Sequence, residues 1–266
     1  MRYFLDRSLP ILKEEGINIL SNSAVAISGL GGVGGGAFLN LVRCGVKKFK
    51  LAENGIFDPP DMNRQIAAFS STMGKPKLDV YVSVAKEINP EIELELFPEG
   101  INVENLENFL KDTDVYIGVI DAEKGEDVKA ITSTYLKKYN IPLFSALAVG
   151  FGAILVAHHH NGMMPEEFWS LINKKSDNNV LFPSMIADNF HPEIMRRIIE
   201  AVKNKKQPTL SIGGSLSGTL LASEVITYIL RDTELVNREI IFAPKFIIID
   251  LALLSLKVLD VTEEGI

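Results

Sequence analysis

An α/β, Rossmann-like fold is predicted here: a mostly parallel sheet with helices on both faces and a C-terminal strand and helix extension. Three features of the sequence predict it. The apolar run Ala24 to Ile27 feeds the glycine-rich stretch Ser28-Gly29-Leu30-Gly31-Gly32-Val33-Gly34-Gly35-Gly36, which opens onto the helix-forming Ala37 to Val42. An acid, Glu53, ends the next apolar run. Strand-like and helix-like patterns then alternate as far as residue 150, and such alternation implies parallel pairing with helices as crossovers.

In order, the patterns predict strands over 24–29, 47–53, 92–97, 114–120 and 142–147. Helices are predicted over 35–44, 76–88, 103–111 and 123–138. From 150 the rhythm changes to an apolar strand Ala153 to Ala157, a polar loop Lys174 to Asn179 and a helix near 192–203. A long helix over 215–231 and closing strands Phe246 to Asp250 and Leu253 to Leu259 follow. At 266 residues and 47% hydrophobic, the chain forms one domain with a single substantial core. Its parts are an N-terminal helical arm (1–23), a nucleotide-binding core (24–150) and an extension (151–266) on the substrate and dimer side.

A strand, a glycine turn and a helix N-terminus together hold a phosphate. The glycines let the backbone approach, and unpaired N–H groups with the helix dipole favour the anion. Glu53 stands about where a ribose-binding carboxylate belongs. This pattern alone leaves NAD, FAD, S-adenosylmethionine and ATP open. The P-loop signature is absent, so an ATP site needs other residues to hold the triphosphate.

Downstream lie Asp58-Pro59-Pro60-Asp61-Met62-Asn63-Arg64-Gln65 and Met73-Gly74-Lys75-Pro76-Lys77. Prolines and turn formers mark a loop over the strand ends, where such sheets bind ligands. An arginine and a lysine brought there suit a triphosphate. Asp121 closes the apolar run Val115 to Ile120 on the same edge, where one carboxylate can hold Mg²⁺ beside phosphates.

These motifs, in this order and at these intervals, resemble the ThiF/MoeB/HesA family of ubiquitin-activating-type adenylyltransferases. The residues that carry the resemblance are Gly29-x-Gly31-Gly32-Val33-Gly34, Glu53, Arg64-Gln65, Gly74-x-Pro76-Lys77, Asn89-Pro90 and Asp121. It covers residues 1 to about 150, with weaker agreement beyond. The resemblance implies ATP and Mg²⁺ as ligands. Gly29, Gly31, Gly32 and Gly34 would line the phosphates, Glu53 would take the ribose, and Asn63, Arg64, Gln65, Lys77 and Asp121 would complete the nucleotide site. Arg64 and Lys77 would neutralise charge as a substrate carboxylate attacks the α-phosphorus, and Asp121 would hold the metal. An arginine from a partner subunit completes the site in such proteins, and Arg7 is the candidate, which makes the expected unit a homodimer with shared sites. The substrate implied is a ubiquitin-like or small carboxylate: a carrier C-terminus, a peptide or a modified nucleoside on tRNA.

Several positions depart from that pattern. Gly55 stands where many relatives place a second acid, Asp61 where Asn is usual, and Ala122 and Glu126 where Asn and Arg are frequent. There are no Cys-x-x-Cys pairs for a structural zinc, and the single cysteine, Cys44, ends the first helix as a packed thiol, so no thioester is expected.

A formal charge of −7 argues against general nucleic-acid or membrane-surface binding, and the first residues lack a signal-peptide core. The expected location is cytoplasmic. His158-His159-His160 is read as a strand end entering a loop rather than a metal site, Trp169 as core or dimer packing, and Lys203 to Pro208 as a solvated loop. Gly213-Gly214-Ser215 to Gly218 is read as a close helix–helix contact. Two function classes remain: a carboxylate-adenylating enzyme, or a non-catalytic nucleotide-binding module or NAD(P)-dependent oxidoreductase. Two cations beside the glycine turn favour the first.

Overall fold

Parallel strands that are buried on both faces need near-continuous apolar sequence, and the first strand supplies it. A computed structural model describes residues 3–119, 126–175 and 183–263. In it β1 (Ala24–Ser28) pairs in parallel with β2 (Lys48–Ala52) on one side and β4 (Val115–Gly118) on the other. Beyond β2 lies β3 (Glu93–Phe97), and beyond β4 lies β5 (Leu143–Val149), both parallel. The chain then turns back through β6 (Gly152–His158), β7 (Lys245–Asp250) and β8 (Ser255–Asp260), each antiparallel to its predecessor. The spatial order is β3-β2-β1-β4-β5-β6-β7-β8. Strand order reverses between β1 and β4, which opens a crevice at their carboxyl ends, the usual ligand position in such sheets.

Helices cover both faces of the sheet and enclose three hydrophobic clusters. After α1 (Leu9–Asn22), the helices α2 (Gly34–Arg43) and α3 (Lys77–Ile88) pack on one face, where Phe38, Leu41, Tyr81 and Ile27 share a core. The opposite face of the parallel half carries α4 (Leu106–Leu110) and α5 (Glu126–Tyr139), with Phe109, Tyr116 and Leu136 buried between them. On that side of β6 and β7 lie α6 (Pro165–Lys175), α7 (Ser184–Ala187) and α8 (Pro192–Lys203), which enclose Phe168, Phe190, Ile154 and Phe246. The helix α9 (Ser211–Ile229) joins the first core through Leu221, Val225 and Tyr228.

The differences from the sequence reading have local causes. Over 103–111 only α4 is regular helix, because Asn102 Oδ1 accepts the amides of Glu104 and Asn105 and holds a turn there. The last strand begins at Ser255 rather than Leu253, since Asp250 Oδ1 captures the amides of Ala252 (2.7 Å) and Leu253 (3.4 Å). Lys174 and Lys175 extend α6 instead of opening a loop; residues 176–182 lie outside the described residues. The long helix begins at Ser211 rather than 215, so Gly213 and Gly214 lie within its first turn. A Cβ on Gly213 would stand 2.5 Å from the Gly150 carbonyl oxygen, so only glycine lets the helix start against the β5–β6 turn. A Cβ on Gly218 would lie 2.8 Å from Val33 O and 3.1 Å from Ala37 N, which makes this cluster a close helix contact, here with α2.

Candidate nucleotide site

The glycine turn leaves β1 at Gly29, whose φ of 90° only glycine adopts easily. A Cβ at Gly34 would fall 1.9 Å from Gly29 O, and one at Gly35 would fall 1.9 Å from the Tyr81 hydroxyl. Compactness is thus built into the turn: Tyr81 of α3 supports it from below, and α2 starts directly from it, with the Gly35 amide bonded back to Gly31 O at 2.9 Å. Below the turn Ser28 Oγ and Tyr116 Oη lie 2.7 Å apart, bridging β1 and β4 at the point of reversal. Burial pushes the Tyr116 phenol up to about 12, so it remains a neutral hydrogen-bonding group.

Glu53, just past β2, fixes the turn laterally. Its Oε2 accepts the Leu30 amide and its Oε1 the Gly55 amide, each at 2.7 Å. Both oxygens keep a lone pair for a ligand hydroxyl. The crossover that follows contains a 3-10 turn over Pro59–Asn63 and returns Arg64 to the glycines: a Cβ at Gly32 would lie 3.3 Å from Arg64 Cγ. Lys77, at the start of α3, borders the same space, its Nζ 5.7 Å from the centroid of the Phe57 ring.

The cations converge on Asp61, a residue that the sequence pattern did not single out as functional. Its Oδ1 receives Arg64 Nη2 at 3.3 Å and Gln65 Nε2 at 2.5 Å, while its Oδ2 meets Lys77 Nζ at 3.1 Å. The available signal was a carboxylate one turn before Arg64-Gln65. Arg64 also donates through Nη1 to Pro60 O (2.8 Å) and Asn63 Oδ1 (3.0 Å), and Asn63 Nδ2 in turn reaches Thr209 O at 3.0 Å. The loop before α9 is thereby tied to the crossover.

Gly29, Gly31, Gly32, Gly34, Glu53, Asn63, Arg64, Gln65 and Lys77 thus gather at one crevice. Asp121 lies outside the described residues. Arg7 is exposed and is not brought there: Leu5 packs on Gly45, past the far end of α2, about 15 Å of helix from the glycine turn. Cys44 ends α2, and burial raises its thiol pKa, which suits a packed group rather than a nucleophile. His159 and His160, having left the strand, stack 4.1 Å apart, and His158 Nδ1 contacts Met163 O at 2.9 Å. Among the described residues no three His, Cys, Asp or Glu side chains converge as metal ligands, and no helix is long and apolar enough to cross a membrane.

A glycine turn at a strand-order reversal, flanked by an acid and a cation pair, defines a nucleotide-binding α/β protein. The sequence matches the ThiF family over residues 5–264, and the chain belongs to that family. Among curated relatives, the tRNA threonylcarbamoyladenosine dehydratase of Bacillus subtilis is 27% identical over 250 residues, covering 88% of this chain and 98% of the relative. The sulfur carrier protein ThiS adenylyltransferase of Escherichia coli is 30% identical over 156 residues, 59% of this chain and 61% of that protein. Among solved structures, E. coli MccB with succinimide superimposes with a TM-score of 0.68 at 19% identity, covering 94% of this chain and 66% of MccB. The alignment with the B. subtilis relative thus takes in nearly all of it, but the matches to the other two cover about two thirds of their length or less.

Proposed function

We propose that this protein adenylates a carboxylate at the expense of ATP, giving an acyl-adenylate and pyrophosphate. The observation that carries the reading is the convergence of the glycine turn, Glu53, Arg64 and Lys77 on one crevice at the β1–β4 reversal. The turn amides take phosphate oxygens and Glu53 the ribose hydroxyls. A substrate carboxylate oxygen attacks the α-phosphorus, the bond to the bridging oxygen breaks, and pyrophosphate leaves. A carboxylate nucleophile needs no base, so the protein's work is positioning and neutralising charge, which Arg64 and Lys77 provide. Mg²⁺ would be held by phosphate oxygens with Asp121 as its protein ligand and would neutralise the departing pyrophosphate. Cys44, packed at the end of α2, takes no part, and no thioester forms.

The acceptor class is a peptide, a carrier C-terminus or a carboxylated nucleoside. The names of two relatives fit two of these classes: a tRNA threonylcarbamoyladenosine dehydratase and a sulfur carrier protein adenylyltransferase. The working unit is a cytoplasmic homodimer in which Arg7 reaches the neighbouring phosphates. Its position at the edge opposite its own glycine turn supports a role in trans over one in its own site.

Calorimetry with Mg-ATP and with NAD tests the reading, followed by exchange of labelled pyrophosphate into ATP with each acceptor class. ATP binding and exchange with one class are expected. Tight NAD binding without ATP binding would overturn it in favour of an oxidoreductase.

A further inference from the structure

Asp61 is 4% exposed and lies at the centre of the cation pair, yet the adenylation step as derived makes no use of it. All four of its polar contacts are local: Arg64 and Gln65 on Oδ1, Lys77 and the Asp58 amide (3.3 Å) on Oδ2. A buried carboxylate is costly to desolvate, and its placement between two cations offsets that cost. The same pairing spends positive charge that an incoming triphosphate would otherwise meet in full.

Position 55 shows why the carboxylate stands at 61. A Cβ on Gly55 would lie 2.9 Å from Glu53 Oε1 and 3.5 Å from Lys77 Cδ. An acid there would run along Lys77 but crowd the carboxylate that clamps the glycine turn. Asp61 approaches Lys77 from the crossover side, with Arg64 on its other oxygen, and leaves Glu53 undisturbed.

We propose that Asp61 is a positioning residue. It holds Arg64 and Lys77 side by side before the nucleotide arrives, and its charge competes with the triphosphate for them, lowering nucleotide affinity so that the site does not over-bind its phosphates. The proposal rests on the crevice being an ATP site. It makes an unusual demand on mutagenesis: removing a buried, fully engaged carboxylate should strengthen binding.

Asp61→Asn keeps the shape and one acceptor oxygen, and Asp61→Ser is a smaller neutral alternative. Calorimetry with Mg-ATP, inorganic triphosphate and adenosine, each at two salt concentrations, reads the effect. Both variants should bind Mg-ATP and triphosphate roughly tenfold more tightly than the native protein, the scale of one charge a few ångströms away at partial screening. The salt dependence should steepen, and adenosine affinity should not change. A merely structural role would give no phosphate-specific gain. Native-like or weaker phosphate binding in both variants, with unchanged urea midpoints, overturns the proposal; so does loss of the folded state in both, which would make Asp61 a residue of the fold. A native protein that binds no ATP overturns the nucleotide reading itself, a result distinguishable from either of these.

Discussion

One oxygen of Glu53 holds the Leu30 amide at 2.7 Å and the other holds the Gly55 amide at the same distance, so a single carboxylate ties the glycine turn to the crossover loop. The side chain proposed to meet the ribose therefore also sets the shape of the glycine turn. Glu53→Gln replaces one acceptor oxygen with a donor and leaves one amide unpaired. The expected cost is about 1–2 kcal/mol of stability, read from urea denaturation. Mg-ATP affinity should fall at least in proportion, and adenosine affinity with it. A variant that loses stability but binds adenosine normally would remove Glu53 from the ribose.

Arg64 and Lys77 occupy one cluster but enter it from different elements, a turn and a helix start. Arg64→Ala and Lys77→Ala should each lower pyrophosphate exchange on the order of a hundredfold, the usual scale for one lost transition-state donor. Because both cations share Asp61, the double variant should lose less than the product of the two single losses. Full exchange in either single variant would take that residue out of the mechanism.

Arg7 follows a 3-10 turn over Tyr3–Leu5 whose Leu5 is anchored on Gly45, away from its own nucleotide crevice. If it acts in a neighbouring subunit, mixing inactive Arg7→Ala with inactive Lys77→Ala should restore about a quarter to a half of native exchange, because mixed dimers contain one intact composite site. Native mass spectrometry verifies subunit exchange. No recovery in an exchanged sample would place Arg7 outside a shared site.

His158 ends β6 in a buried position, and burial holds its pKa below the ordinary 6.5. Unfolding therefore takes up a proton as the pH falls below 6.5. The stabilisation by the neutral ring is complete above that value and is lost as the pH drops towards the folded-state pKa. The melting temperature should fall between pH 7 and pH 5, and less steeply in His158→Gln. Equal slopes would assign the acid sensitivity to other groups.

The parallel half was legible because its central strands β1 and β4 are buried and write apolar runs such as Val25-Ala26-Ile27, and because strand-like and helix-like patterns alternate along it. The antiparallel half was less so. The sequence reading passed over α6, although Phe168, Leu171 and Ile172 stand at helical spacing in it. The first turn of α9 was masked by Gly213 and Gly214, which put the predicted helix start at 215 and whose place against the Gly150 carbonyl oxygen only the fold shows. At the site, glycines, acid and cations were recognisable because each has a chemical demand on residue type. Asp61 was not, because a carboxylate just after two prolines in a turn has the sequence signature of a solvated bend, and only the fold reveals that it is enclosed.

The sheet changes direction at β5, and three later segments return to the edge where the parallel strands end: the β5–β6 turn, the start of α9 and the β7–β8 turn. Phe151, Ile212 and Leu254, one in each, are all exposed. Apart from Asp121, the residues proposed to hold the nucleotide come from the first eighty positions, while these three exposed apolar side chains come from beyond 145. Such a division lets selection rewrite the approach without disturbing the clamp. Chains of this architecture can thus diverge in what they modify while their handling of the nucleotide stays fixed, and residues 145–215 are where libraries aimed at new acceptors should concentrate their diversity.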